Sequence, residues 1–334
     1  MKKMLFLLGL LIAFQGPAAT LDPLPFPGEK RDEAPQKAFQ ADWTLVLPPL
    51  TETEGKALKT TGTPMQVGIG RSLPKPLDIP ESRWKQQDGQ WRLRFAIVSP
   101  KASGIRLQIA VKVPGSVWRF ASPRQDKVYG PIYPQEDTPF WSPVLFGEEG
   151  VAEVILPKGT SPQEKPFEVL GISHLYIHPL SLEKDLSDVG ASGSCNVDVM
   201  CHPEWSLTAD AVAKYVYTSA GNSFLCTGTL LNNMREDFRP YFLTANHCIS
   251  RVGEANSMHS YWFFERTSCG GPIDDFAELT GGASLLNHGE DTDFSILKLR
   301  EDPPGGAVFA GWSSDPLAPH TFVAGIHHPS GDLE

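Results

Sequence analysis

Cys226-Thr227-Gly228-Thr229-Leu230-Leu231 is followed, after a polar turn, by Pro240-Tyr241-Phe242-Leu243-Thr244-Ala245-Asn246-His247-Cys248. Both are short, rich in β-branched and aromatic residues, and bounded by residues that break regular structure, which is the pattern of strands. The second ends in a histidine joined directly to a cysteine. Strand-like runs lie at Ala211 to Thr218, Ser223 to Leu231, Tyr241 to Ala245, His259 to Glu265 and Phe294 to Leu299. Their lengths and spacing predict a small antiparallel barrel.

Toward the N-terminus, Trp91, Leu93, Phe95 and Ile97 alternate with Arg92, Arg94 and Ala96 behind the turn-forming Asp88-Gly89, which predicts a hairpin entering a half-buried strand. Ile105, Leu107, Ile109, Val111 and Val113 repeat the pattern against Arg106, Gln108 and Lys112. Val151 to Leu156 and Phe167 to Ile177 are further candidates. This cysteine-free part carries no catalytic cluster and reads as a β-sandwich-like domain with a structural role. The character changes at Gly190-Ala191-Ser192-Gly193-Ser194-Cys195, a small-residue stretch that opens the cysteine-bearing half. The fold class expected throughout is all-β.

Composition agrees. The 334 residues leave room for two domains, and 41% hydrophobic with 20% charged residues argues against disorder throughout. Thirty glycines and thirty prolines suit short strands with many turns. A formal net charge of −10 excludes nucleic acid and anionic membrane surfaces as expected partners, since either would need a basic face. Met1-Lys2-Lys3, the apolar run Met4 to Phe14 and the small residues Gly16-Pro17-Ala18-Ala19 have the three parts of a secretory signal, too short to anchor in a bilayer. Export would place Cys195, Cys201, Cys226, Cys248 and Cys269 in an oxidising compartment, where disulfides are favoured; five is odd, so one lacks a partner. The expected organisation is a signal over 1–19, a flexible proline- and charge-rich leader over 20–40, a β-rich domain over 41–189 and a second domain over 190–334.

The histidine motif resembles that of trypsin-like serine proteases. A serine nucleophile needs a base within hydrogen-bond reach and a buried carboxylate that fixes the base's tautomer. His247 is the candidate base. Asp293, at the mouth of the apolar run Phe294 to Leu299 and at about the interval expected in chymotrypsin-like barrels, is the candidate carboxylate, with Asp291 its local competitor. His327-His328 invites a metal reading, but neighbours on a strand point to opposite faces and cannot readily share an ion. Cys195 and Cys201 are too far apart for a zinc knuckle pair. Ser330 lacks the turn signature of a nucleophile, and Ser192 and Ser194 belong to the start of the domain. No metal or organic cofactor is expected.

From about Gly190 onward the chain resembles the bacterial lysyl endopeptidase group of trypsin-like serine proteases. The shared motifs are Gly193-Ser194-Cys195-Asn196-Val197-Asp198-Val199, Tyr241 to Cys248, Asp293-Phe294, Ala310-Gly311-Trp312 and Ile326-His327-His328-Pro329. The region before it resembles the propeptide of such enzymes in Phe140-Trp141-Ser142-Pro143, Gly147 to Glu153 and Leu156-Pro157. The resemblance implies disulfides Cys226–Cys248 and Cys201–Cys269, with Cys195 pairing to a cysteine of a second barrel. It further implies a chymotrypsin-like double barrel of which the first barrel and the start of the second are present. The nucleophilic serine, the oxyanion donors and the acidic residue that selects a basic side chain would all lie in the missing part. The expected protein is thus a secreted endopeptidase precursor acting on polypeptides, with a propeptide working in cis on the protease domain, and inactive in this form. One departure stands out: lysine-specific members mature after a lysine, whereas Val189 precedes Gly190 and the nearest lysine is Lys184. The alternative from another class is a non-catalytic secreted binding or inhibitory protein built on a half-protease fold.

Overall fold

The computed structural model describes residues 39–56, 58, 63–73, 75–134, 138–180, 193 and 195–333. The expected signal and nearly all of the expected leader lie outside them. In chain order the strands are β1 (Trp43–Val46), β2 (Met65–Arg71), β3 (Lys85–Gln87), β4 (Gln90–Val98), β5 (Gly104–Val111), β6 (Val117–Ala121), β7 (Val128–Ile132), β8 (Phe140–Trp141), β9 (Leu145–Phe146), β10 (Glu149–Ile155) and β11 (Phe167–Leu175). They continue with β12 (Val212–Ser219), β13 (Asn222–Leu231), β14 (Tyr241–Thr244), β15 (His259–Trp262), β16 (Ala277–Leu279), β17 (Ala283–Gly289) and β18 (Phe294–Leu299). The described helices are single turns such as Val252–Asn256. The molecule is all-β, as its periodicity predicts.

The N-terminal half is two facing sheet layers. One has the order β1-β4-β10-β6-β7, with β3 on β4; the other contains β2, β11 and β5, flanked by β8 and β9. Asp88 and Gly89 both adopt positive φ, 52° and 79°, and close the two-residue β3–β4 hairpin whose last pair is Gln87↔Gln90. That conformation matches the twist of the strands, which is why Asp-Gly signals it. Leu93, Phe95 and Ile97 of β4 meet Ile105, Leu107 and Ile109 of β5 in a core shared with Trp118 and Phe120 of β6.

Alternation in β5 predicts a polar outer face, and here the structure differs. Arg106 is only 1% exposed. The face of β5 on which it stands is covered by the C-terminal half, and its guanidinium reaches Ser142 O (3.0 Å), Thr218 Oγ1 (2.9 Å) and Ser257 O. A buried guanidinium is tolerated because its donors are spread over three acceptors.

The C-terminal half curls through the order β16-β15-β12-β13-β14-β18-β17. Tyr215, Tyr217, Leu230, Phe242, Trp262 and Leu297 fill its interior. β15 stops at Trp262 rather than at the expected Glu265, because Phe263 turns to a φ of 61°. Gly228 sits directly under a ring: a Cβ there would lie 2.2 Å from Phe242 Cε1. Among the described residues 300–333 there is no strand; the backbone bridges Leu231 to Ala310 and continues through exposed Trp312, Leu317, Phe322 and Val323.

The sheet is continuous across both halves. β2 pairs on one side with β11 and on the other with β13, in the register Ser223↔Gly68, Phe224↔Gln66 and Leu225↔Met65. Val67, Leu175 and Ile177 pack with Val216, Leu225, Tyr261 and Phe264 in a third apolar core over this junction. One strand of the N-terminal half therefore extends the barrel that carries His247.

Candidate active site

β14 ends at Thr244, and the chain turns through Ala245 to Cys248, with Cys248 and Ile249 both donating to Ala245 O. Two anchors hold this turn. Cys248 is bonded to Cys226 of β13, with a Cα–Cα distance of 6.4 Å, and Ile249 is fully buried in the barrel core. Ser295 of β18 adds a third tie by donating to Ile249 O. His247 immediately precedes these anchors, with its side chain 40% exposed. The motif is short because its neighbours bind it to the core and leave the imidazole at the surface.

Asp293 arrives from the opposite side, as the last residue of the turn joining β17 to β18. It adopts the left-handed conformation, φ 50°, which an aspartate tolerates better than most residues. Its Oδ2 lies 2.6 Å from Nδ1 of His247, and its Oδ1 accepts the backbone N–H of His247 at 2.8 Å. The backbone N–H of Asn246 donates to Asp293 O at 3.1 Å. These contacts, the backbone N–H of His247 first and its ring second, hold the Asp293 carboxyl below the usual aspartate range. A carboxylate on Nδ1 places the exchangeable base position on Nε2.

The structure thus brings His247 and Asp293 together. Asp293 is half-exposed rather than buried as the sequence reading supposed, with 49% of its side chain accessible, because the β17–β18 turn stands at the barrel rim. Asp291 is exposed in the same turn and is not among the hydrogen-bond partners of His247. Ser330 is exposed in the Pro329–Gly331 turn, while Ser192 and Ser194 lie outside the described residues. Among the described residues, no serine hydroxyl is hydrogen-bonded to His247.

Neighbouring groups that the sequence did not single out support the loop. His288 Nδ1 on β17 contacts Asn246 Oδ1 at 2.9 Å, and Tyr215 OH pairs with Thr244 Oγ1 at 2.6 Å. Nothing local marks either pair, since each joins residues far apart in the chain. Thr227, on the strand carrying Cys226, accepts the backbone N–H of His328 at 3.1 Å and seats the following turn against the barrel. Gly331 O in that turn caps Lys214, which is fully buried and pushed down to about 7 by loss of solvation. A cleft of about 410 Å³ opens nearby, lined by residues including Cys195, Trp205, Arg266 and His327, but neither His247 nor Asp293 borders it.

The metal readings do not fit. Ligand-type atoms of Cys226, His247 and Cys248 lie within 4.8 Å of one another, yet both sulfurs are consumed by the disulfide and neither is a thiolate. His327 is exposed whereas His328 is buried, with Nδ1 3.0 Å from Asp332 O and burial pushing its pKa down to about 3. Cys201 and Cys269 form the second disulfide, and Cys195 is exposed without a disulfide partner among the described residues.

Comparison with known proteins agrees with this architecture in both halves. Residues 46–176 match the model of the lysyl endopeptidase N-terminal domain, and residues 189–334 match that of the lysyl endopeptidase C-terminal domain. A lysyl endopeptidase of Pseudomonas aeruginosa is 33% identical over 293 residues, covering 82% of this chain and 63% of the relative's own length. A disulfide-anchored histidine paired to a rim aspartate, on a barrel whose sheet continues into the preceding half, accompanies two consecutive domain matches over most of the sequence: the chain belongs to the lysyl endopeptidase family.

Proposed function

We propose that this chain is the precursor form of a secreted serine endopeptidase in which His247 is the general base and Asp293 its orienting carboxylate. The observation that carries the reading is the double grip of Asp293 on His247, one oxygen on Nδ1 and the other on the backbone N–H. Such a grip fixes both the tautomer and the ring plane, so that Nε2 can take the proton of an attacking serine hydroxyl and return it to the leaving amine. The positive charge that forms on the imidazole is then stabilised by Asp293. Residues 41–189 are the propeptide and act in cis on the protease domain, which begins at residue 190. Export through the segment 1–19 accords with two disulfides, a feature of oxidising compartments.

In this reading the nucleophile, the oxyanion donors and the residue that chooses a basic side chain lie outside residues 190–334, so these residues alone are inactive. The test uses a fluorophosphonate probe and lysyl, arginyl and glutamyl peptide substrates. The expected result for the present chain is neither labelling nor hydrolysis. For an active form containing the same barrel, His247→Ala should lower turnover by several orders of magnitude while leaving the fold intact. Near-normal hydrolysis by that variant refutes the assignment of His247, and stoichiometric labelling of a serine within residues 190–334 refutes the placement of the nucleophile.

A further inference from the structure

His259 on β15 stands at the seam between the two halves, without any exposed surface. The backbone N–H of Val144, from the N-terminal half, donates to its Nδ1 at 3.1 Å. A nitrogen that accepts carries no proton, so the ring's hydrogen sits on Nε2. That nitrogen faces the Glu278 carboxylate of β16 at 3.5 Å. Glu278 is in turn bound by Lys127, just before β7, and by Tyr129 of β7, again from the N-terminal half. Tyr261 stacks on the imidazole at 4.6 Å and Tyr129 meets it edge-on at 5.9 Å.

We propose that the seam joining residues 39–180 to the barrel is a proton-gated interface, closed while His259 is neutral and opened when His259 takes a proton on Nδ1. The protonated ring would present an N–H to the N–H of Val144, two donors head-on in a buried site, and the other group near Nδ1, the Tyr261 hydroxyl at 3.5 Å, would have to turn from donating to accepting across that longer distance. No rotation of the buried ring restores the pairing without removing Nε2 from Glu278. Val144, the partner of this switch, belongs to the third apolar core together with Val67 of β2, Leu225 of β13 and Tyr261 of β15, so the proton acts on the contact between the two halves.

The charged and titratable groups facing the ring are Glu278 on β16, Arg106 on β5, Lys127 in the turn before β7, Tyr129 on β7, and Tyr261 on β15 itself. Burial is the largest influence and, with Arg106 and Lys127, disfavours the cation; Glu278 opposes them, and the net effect lowers the pKa below the ordinary histidine value. The sign follows. A histidine whose pKa is depressed by assembly leaves the seam at full strength above about pH 6.5 and weakens it, by up to about tenfold per pH unit, as the pH falls toward the assembled-state pKa.

The experiment is hydrogen exchange on the intact chain between pH 7.5 and 4.5, corrected for intrinsic rates, comparing wild type with His259→Asn. Asparagine offers an oxygen near the position of Nδ1 and does not titrate. In the wild type, protection at Val144 and across the β2–β13 ladder should fall at least tenfold at the acid end, while the β14–β18 ladder stays protected; in H259N the seam should stay closed. Equal acid loss in both proteins, no loss in the wild type, or simultaneous loss in every ladder would overturn the proposal. Should the variant not fold, ¹⁵N-histidine spectra of the wild type decide. The Nε2–H tautomer at pH 7.5, turning to the cation as seam protection disappears, supports the switch; the Nδ1–H tautomer, or a cation at pH 7.5, refutes it.

Discussion

Replacing Arg106 by methionine, which keeps an unbranched side chain of comparable length, probes what joins the two halves. The guanidinium donates to Ser142 O in its own half and to Thr218 Oγ1 and Ser257 O in the barrel. Burial pushes its pKa down to about 10, so it remains charged at neutral pH. Methionine removes the cost of burying that charge but leaves two carbonyls without their donor, whereas Thr218 Oγ1 keeps Ser223 Oγ at 3.1 Å. Orphaning a buried acceptor costs about 1–3 kcal/mol, so two carbonyls set a loss of about 4 kcal/mol. On a chain of this size the melting temperature should fall on the order of 10 °C. Arg106→Lys should recover less than half of the loss, since one ammonium cannot span acceptors that a planar fork reaches. The assay is urea or thermal unfolding followed by tryptophan fluorescence, with Trp141 under the guanidinium at 5.9 Å as a local reporter. If Arg106→Met unfolds within about 1 kcal/mol of wild type, the buried polar junction is not what stabilises the seam.

Three further outcomes are expected. Gly228→Ala should destabilise the barrel by about 3 kcal/mol or more, because the new Cβ meets Phe242 Cε1 at 2.2 Å and the Leu243 carbonyl at 2.8 Å; a melting point unchanged from wild type contradicts this packing. Replacing Cys226 and Cys248 together by serine should cost about 3 kcal/mol, the chain-entropy value for a sequence separation of 22, with the largest rise in hydrogen exchange at Asn246 to Ile249. A rise spread evenly over the barrel would mean that the bridge does not specifically hold the histidine turn. The Asp293 carboxyl is held below its ordinary value of 3.8, so its grip is present above that pH and is lost as pH falls through the lower folded value. Protection of the His247 amide should follow this acid transition in wild type and be weak at every pH in Asp293→Asn, and an amide equally protected in both proteins speaks against the Oδ1 contact.

The all-β character, the hairpin at Asp88-Gly89 and most strands of the barrel are legible in the sequence, which also singles out His247 and Asp293, the pair the fold brings to 2.6 Å of each other. Each rests on a local signal. Period-two alternation marks a strand with one apolar face, Asp-Gly supplies two positive φ angles, and His247-Cys248 and Asp293-Phe294 are contiguous motifs. The cysteine pairings came from resemblance rather than from spacing. Which faces are covered depends on long-range packing. Arg106 reads as a solvent-facing residue because alternation reports that a strand has two faces and not what packs on the second one. Lys214 lies in an otherwise apolar run and is fully buried, since its partners Gly331 O and the Phe264 ring, 4.6 Å from Nζ, come from distant parts of the chain. The role of β2 was equally illegible. Its sequence Met-Gln-Val-Gly-Ile-Gly-Arg lacks a polar face because both faces are covered, with Gln66 to Ile69 and Arg71 buried, and its two paired edges leave no local signal of the partners they take. The half-exposed setting of Asp293 was likewise settled by where the β17–β18 turn stands on the barrel. Local pattern fixes what a segment is, and long-range packing fixes what it touches.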